Sequence, residues 1–147
     1  MKTIPIFIFL VLSIIGCKST EPGQQTISSE PLRGTGWELV ESFGKDIELP
    51  DRSKLPYFIL NVNDNKFTGN TACNSMFGNF FLEEGGFVFS EVASTEMYCE
   101  YTSHIEQEMF KILRETDGYQ IEGNTLILFS GEEVIGRFSA MEIAPEQ

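Results

Sequence analysis

The chain is short of the groups from which active sites are built. It has one histidine, His104, and ten lysines and arginines against twenty-two acids in 147 residues. No G-x-S-x-G, H-E-x-x-H or glycine-rich phosphate loop occurs in it. A Cys–His nucleophile needs a free thiolate beside its base, and the cysteines here have a better use. The shortage of cations excludes nucleic acid, whose phosphates call for clustered lysine and arginine. It also keeps the domain off anionic lipid. Cys73, Cys99, His104 and a nearby Glu are the right atom types for a metal. In an oxidising envelope a disulfide takes precedence, so no metal and no cofactor is expected. The carboxylate pairs Glu83-Glu84, Glu106 with Glu108, and Glu132-Glu133 fall at turns or on a helix, where they read as solvated charge. The expectation is a protein that is not an enzyme.

Long apolar runs are also scarce. The one near the start, Ile4 to Ile15, is broken by Pro5 and Ser13 and is too short to span a bilayer. With Lys2 before it, the run has the form of a signal-peptide core. It ends Ile14-Ile15-Gly16-Cys17, which resembles the lipobox of bacterial lipoproteins. Residues 1–16 are therefore expected to be a signal peptide and Cys17 a lipidated cysteine. Several acyl chains on one residue anchor stably, and Lys18 in place of an aspartate favours the outer membrane, with the domain periplasmic or surface-facing. Residues 17–34 then read as a flexible tether poor in apolar groups, reaching roughly 20–25 Å on average.

Residues 35–147 are one small domain. With Lys2 gone, nine cations face twenty-two acids, a net charge near −13. Lipidation of Cys17 leaves Cys73 and Cys99 as the only pair, expected to be bonded. Closing their loop stabilises by about 3 kcal/mol. Gly69 and Gly78 flank Cys73-Asn74 and suggest a sharp bend there. Eight short strands are read from alternation and turn residues: 36–43, 56–63, 66–71, 78–82, 87–93, 119–121, 125–130 and 133–143. Trp37 is expected to plug the interior, and Phe58, Leu60 and Val62 to share one face. Ser103 and Glu106 form a capping-box signature. Ile105, Met109, Ile112 and Leu113 continue it as a helix that Gly118 ends. The class is mainly β: a small eight-stranded antiparallel up-and-down barrel with one inserted helix.

Trp37 and Leu39, Gly69, Cys73-Asn74, Gly78 and Phe80, then Thr95, Met97 and Cys99, the helix through Phe110 and Leu113, and Leu126 with Leu128 form an ordered set. In order and spacing they resemble the META-domain (HslJ-like) family of bacterial envelope lipoproteins. The resemblance implies an up-and-down barrel and no settled activity, with loose links to heat response, antibiotic tolerance and motility. Ala72 stands where the family usually has glycine, which questions the corner's geometry. Tyr98 stands where a small residue is usual, which implies a bulkier, exposed loop. In size, anchor and architecture the chain is also similar to potempin-type peptidase inhibitors.

Three functions follow. The first is a tethered, monomeric binding domain that inhibits a secreted peptidase, serine class favoured. Its loop would be Thr95-Glu96-Met97-Tyr98, pinned by the disulfide, or alternatively the 44–55 segment with Lys45, Arg52 and Lys54. The second is an envelope-stress or antibiotic-tolerance lipoprotein without a peptidase target. The third, a carrier using the barrel lumen, is disfavoured because the many phenylalanines would fill so small a barrel.

Overall fold

The computed structural model describes residues 30–83 and 86–141. The signal peptide, Cys17 and most of the expected tether lie outside them. Nine strands and one helix are present: β1 Gly36–Ser42, β2 Lys45–Asp46, β3 Pro56–Leu60, β4 Lys66–Thr71, β5 Ser75–Glu83, β6 Gly86–Ser94, α1 Ser103–Glu115, β7 Gly118–Glu122, β8 Thr125–Ser130 and β9 Glu133–Met141. All eight expected strands are here; β2 is a two-residue extension paired with β1.

The eight long strands form one antiparallel sheet in the order β6-β5-β4-β3-β1-β9-β8-β7. Except for β6 and β7, long strands that follow one another in the chain are neighbours in the sheet, and the last strand returns beside the first. This is the up-and-down circuit, curled strongly into a half-barrel. Its opening lies between β6 and β7, where the chain inserts α1. There Phe87 N donates to Asp117 O at 2.9 Å, but the two strands form no ladder among the described residues. The helix packs across the open side instead.

Phenylalanine fills the interior. Trp37, Phe58, Phe67, Phe80, Phe87 and Phe138 are fully buried, as are Ile105, Met109, Ile112 and Leu113 along one stripe of α1. Phe58, Phe67 and Phe87 each pack a ring on Phe89, at 5.4, 5.1 and 4.6 Å between centroids. Such pairs contribute about 0.5–1.5 kcal/mol each beyond area burial. Trp37 Nε1 donates to Leu32 O at 3.0 Å, so the indole is buried with its one donor satisfied.

Several local expectations are corrected. Gly69 and Gly78 do not bend the chain; both sit in strands, in β4 and β5. They are glycine because a Cβ at 69 would lie 2.1 Å from Tyr57 O, and one at 78 would lie 2.7 Å from Phe67 Cε1. The corner itself is made by Ala72, at φ 70°. The strand through Phe58 stops at Leu60, leaving Val62 60% exposed in the following turn. Thr102, not Ser103, is the N-cap, and no side chain caps the helix. Gly118 opens β7; the helix ends at Glu115, where Thr116 Oγ1 returns to Ile112 O at 2.7 Å. Finally, Leu32 is buried in the core and Glu30 N donates to Gly123 O at 3.1 Å. Packing thus begins by Glu30, inside the segment that composition assigned to the tether.

Candidate functional site

The segment that leaves β6 and enters α1 is held at both ends and bare in the middle. Cys99 is bonded to Cys73 with their Cα atoms 5.9 Å apart, within the range a disulfide bridges without distortion. Cys99 O also accepts from Thr102 N at 3.3 Å and from Ser103 N at 3.1 Å, tying it to the first turn of α1. On the other side, Thr95 N donates to Ser75 O at 3.0 Å. Between these ties Met97 is 57% and Tyr98 87% exposed, and Tyr101 just beyond is 73% exposed. None of residues 95–99 has a positive φ.

The fixation between the ends comes from Asn74, itself 1% exposed. Its Oδ1 accepts from Met97 N and from Thr95 Oγ1, both at 2.8 Å. Its Nδ2 donates to Met97 O at 3.0 Å and to Glu106 Oε2 at 2.8 Å. Two donors and two acceptor positions exhaust what a side-chain amide offers. The amide thus pairs with both backbone polar groups of Met97 as an adjacent strand would. Glu106 Oε2 also accepts from Thr71 Oγ1 at 2.6 Å, and Asn74 N donates to Thr71 Oγ1 at 3.0 Å. The carboxylate expected to cap α1 is instead a strut between the helix and the β4–β5 corner. A satisfied buried network of this kind rigidifies what it holds.

The alternative cationic segment is built differently. Arg52 pairs with Glu38 at 2.9 Å. Asp51 accepts from Ser53 N at 2.8 Å and Ser53 Oγ at 2.6 Å. The Ser53 hydroxyl, with its backbone N–H, holds the Asp51 carboxyl below its ordinary 3.8. Lys45 is not part of this group: it sits in β2 and lines a different cavity, of about 410 Å³, with Phe43, Glu48, His104, Glu108 and Lys111. In that cavity Ser42 Oγ donates to Glu108 Oε2 at 2.5 Å, and Lys111 Nζ lies 3.7 Å from the centre of the Phe43 ring. These contacts dock α1 on β1. Among the described residues no three of His, Cys, Asp and Glu cluster as metal ligands.

The alternative segment meets the residues that follow Tyr98. Pro50, Asp51 and Lys54 line one groove of about 210 Å³ with Cys99, Tyr101 and Thr102. Thr102 Oγ1 is buried there with no partner among the described residues. Sequence reading placed the candidate segment at Thr95 to Tyr98 and the pin at Cys99. It missed Asn74, Glu106 and Tyr101. An asparagine beside a paired cysteine at a corner was the available signal, and it was read only as a turn former.

Over residues 30–142 the sequence matches the family model described as the META domain. In structure the chain is similar to the NMR structure of a protein from Burkholderia xenovorans, at 18% identity and a TM-score of 0.63, covering 84% of this chain and 98% of that one. A second NMR structure matches at 18% identity and a TM-score of 0.56, covering 74% of this chain and 91% of the other. At such identities the likeness is one of fold alone. No match is found among curated proteins.

Proposed function

The chain belongs to the META domain family, and on that fold we propose that it serves as a lipid-anchored, non-enzymatic inhibitor of secreted peptidases. The serine class is favoured, and Thr95-Glu96-Met97-Tyr98 is the contact segment. One observation supports this reading above the others: Met97 and Tyr98 stand exposed on a backbone already fixed from beneath by Asn74 and Cys99. Binding is weakened by whatever must be ordered on contact, and a segment held in advance avoids that cost. Large apolar side chains presented at a fixed spot are what a hydrophobic specificity pocket accepts.

The interior supports no carrier function, because phenylalanine rings occupy it. Lipidation at Cys17 would place the domain just above the outer membrane. Cys17→Ala should then move the protein out of the membrane fraction, and retention there after a high-salt wash would refute the anchor.

The test of inhibition is to titrate the mature chain, purified in detergent, against serine and metallopeptidases secreted by the same bacterium. Inhibition lost in Met97→Asp or Tyr98→Asp is the expected result. Absence of inhibition at micromolar protein would end the reading and leave a stress-response lipoprotein in its place.

A further inference from the structure

The ties on the exposed segment are not spread evenly, and their placement singles out one peptide bond. On the N-terminal side of Tyr98, Met97 N and O are both bonded to the Asn74 amide, at 2.8 and 3.0 Å. On its C-terminal side, Cys99 is fixed by the bond to Cys73 and by two N–H donors from the start of α1. Tyr98 itself, 87% exposed, is the most exposed large hydrophobic residue described. Within the run 97–99, the residue before and the residue after are anchored to the same β4–β5 corner, through Asn74 and Cys73.

Resting on the inhibitor reading above, we infer that Tyr98–Cys99 is a reactive-site bond for a serine peptidase with a deep, apolar, aromatic-accepting specificity pocket, and that the fold holds both cut ends in place. The peptidase serine Oγ attacks the Tyr98 carbonyl carbon, the C–N bond to Cys99 breaks, and the Cys99 nitrogen leaves as an amine after taking a proton from the enzyme's general acid. In an ordinary substrate that amine diffuses away and water hydrolyses the ester. Here the disulfide and the helix N–H groups keep the amine beside the acyl carbon, at an effective concentration far above that of a free fragment. It can attack the ester, re-form the amide and return the proton and the serine. Asn74 keeps the acyl side in register throughout. Cutting is thereby made reversible, and the complex persists.

The experiment uses the mature chain in detergent with chymotrypsin as the aromatic-accepting peptidase and trypsin as the cation-accepting one. Wild type should inhibit chymotrypsin. Tyr98→Gly should weaken that inhibition roughly 30-fold or more, as for an anchor worth at least about 2 kcal/mol. Tyr98→Lys should transfer inhibition from chymotrypsin to trypsin, a change that a purely structural tyrosine would not produce. Both substitutions replace an exposed side chain, so folding is not at stake. After long incubation with catalytic enzyme, mass spectrometry should find a species heavier by one water, separating at Tyr98–Cys99 only on reduction. That nicked species should return partly to intact chain when fresh enzyme is added.

Wild type that leaves chymotrypsin free overturns the pocket assignment, whatever other peptidase it inhibits. Inhibition unchanged by Tyr98→Gly, or a nick at another bond, overturns the reactive bond while the inhibitor reading stands. Failure against every secreted peptidase overturns both.

Discussion

The two candidate segments achieve order by different means. Residues 47–55 are tied by Asp51 to its neighbour Ser53, by Ile47 N to Val40 O at 2.9 Å and by the Arg52–Glu38 pair. Residues 95–99 are tied to distant parts of the chain, through Asn74 and through Cys73. Surface ion pairs are worth little, typically about 0–1 kcal/mol. A buried amide with all four bonding positions filled is worth more, chiefly because breaking it strands its partners. The comparison teaches that exposure of side chains and fixity of backbone are independent properties. Met97 turns its backbone inward and its side chain outward.

The largest expected effect comes from removing the covalent tie. Cys73→Ala with Cys99→Ala should cost about 3 kcal/mol of stability, read as a lowered denaturant midpoint under non-reducing conditions. The 47–55 amides should keep their exchange protection relative to the rest of the domain. Next in size, Asn74→Ala leaves the Met97 N–H and C=O and the Thr95 hydroxyl without their partner, and the Glu106 carboxylate with Thr71 Oγ1 alone, for a loss of about 2 kcal/mol. Hydrogen exchange at Met97 should accelerate far more than at Ser53, and equal acceleration would dissolve the distinction between the two segments.

Ala72→Gly works in the opposite direction. Ala72 is held at φ 70°, where a Cβ costs roughly 1–2 kcal/mol. Glycine removes that strain while adding freedom to the unfolded chain. A net gain of about 0.5–1 kcal/mol is expected, measured by the same denaturation, with Met97 and Tyr98 staying in place. The smallest effect concerns acid. The folded Asp51 carboxyl titrates below its ordinary 3.8, so its tie to Ser53 is present above that pH and is lost as pH falls through the lower folded value. An NMR titration should show Ser53 N shifting with Asp51 while the 95–99 amides do not follow.

Much of the circuit was legible because strand alternation and turn residues are local signals. The eight strands, with shifted ends such as Leu60 for Asn63, and the amphipathic stripe Ile105, Met109, Ile112 and Leu113 follow the pattern over the described residues. The site was legible only in part. Met97, Tyr98 and the Cys73–Cys99 bond followed from the parity of cysteines and from spacing. Asn74 and Glu106 did not, since each has a strong local reading, turn former and capping residue, that the tertiary contact overrides. Gly69 and Gly78 misled for a related reason. Glycine is also required where one backbone presses close on another, and a single sequence does not separate that need from a bend. The β6–β7 opening escaped because periodicity describes strands singly and carries no count of which edges meet.

The position of β1 has a mechanical consequence. It lies between β3 and β9, among the described residues the only strand joining the meander β3-β4-β5-β6 to the meander β9-β8-β7. It is also the strand immediately after Leu32, which is buried in the core, with Trp37 Nε1 bonded to its carbonyl. Tension applied to the chain ahead of Glu30 is therefore delivered first to Leu32 and Trp37, and then to a strand clamped by ladders on both edges. Neither meander can be peeled away from that end on its own. The two ladders must give together, so the domain meets a pull from its N-terminal side at a strand held along both edges.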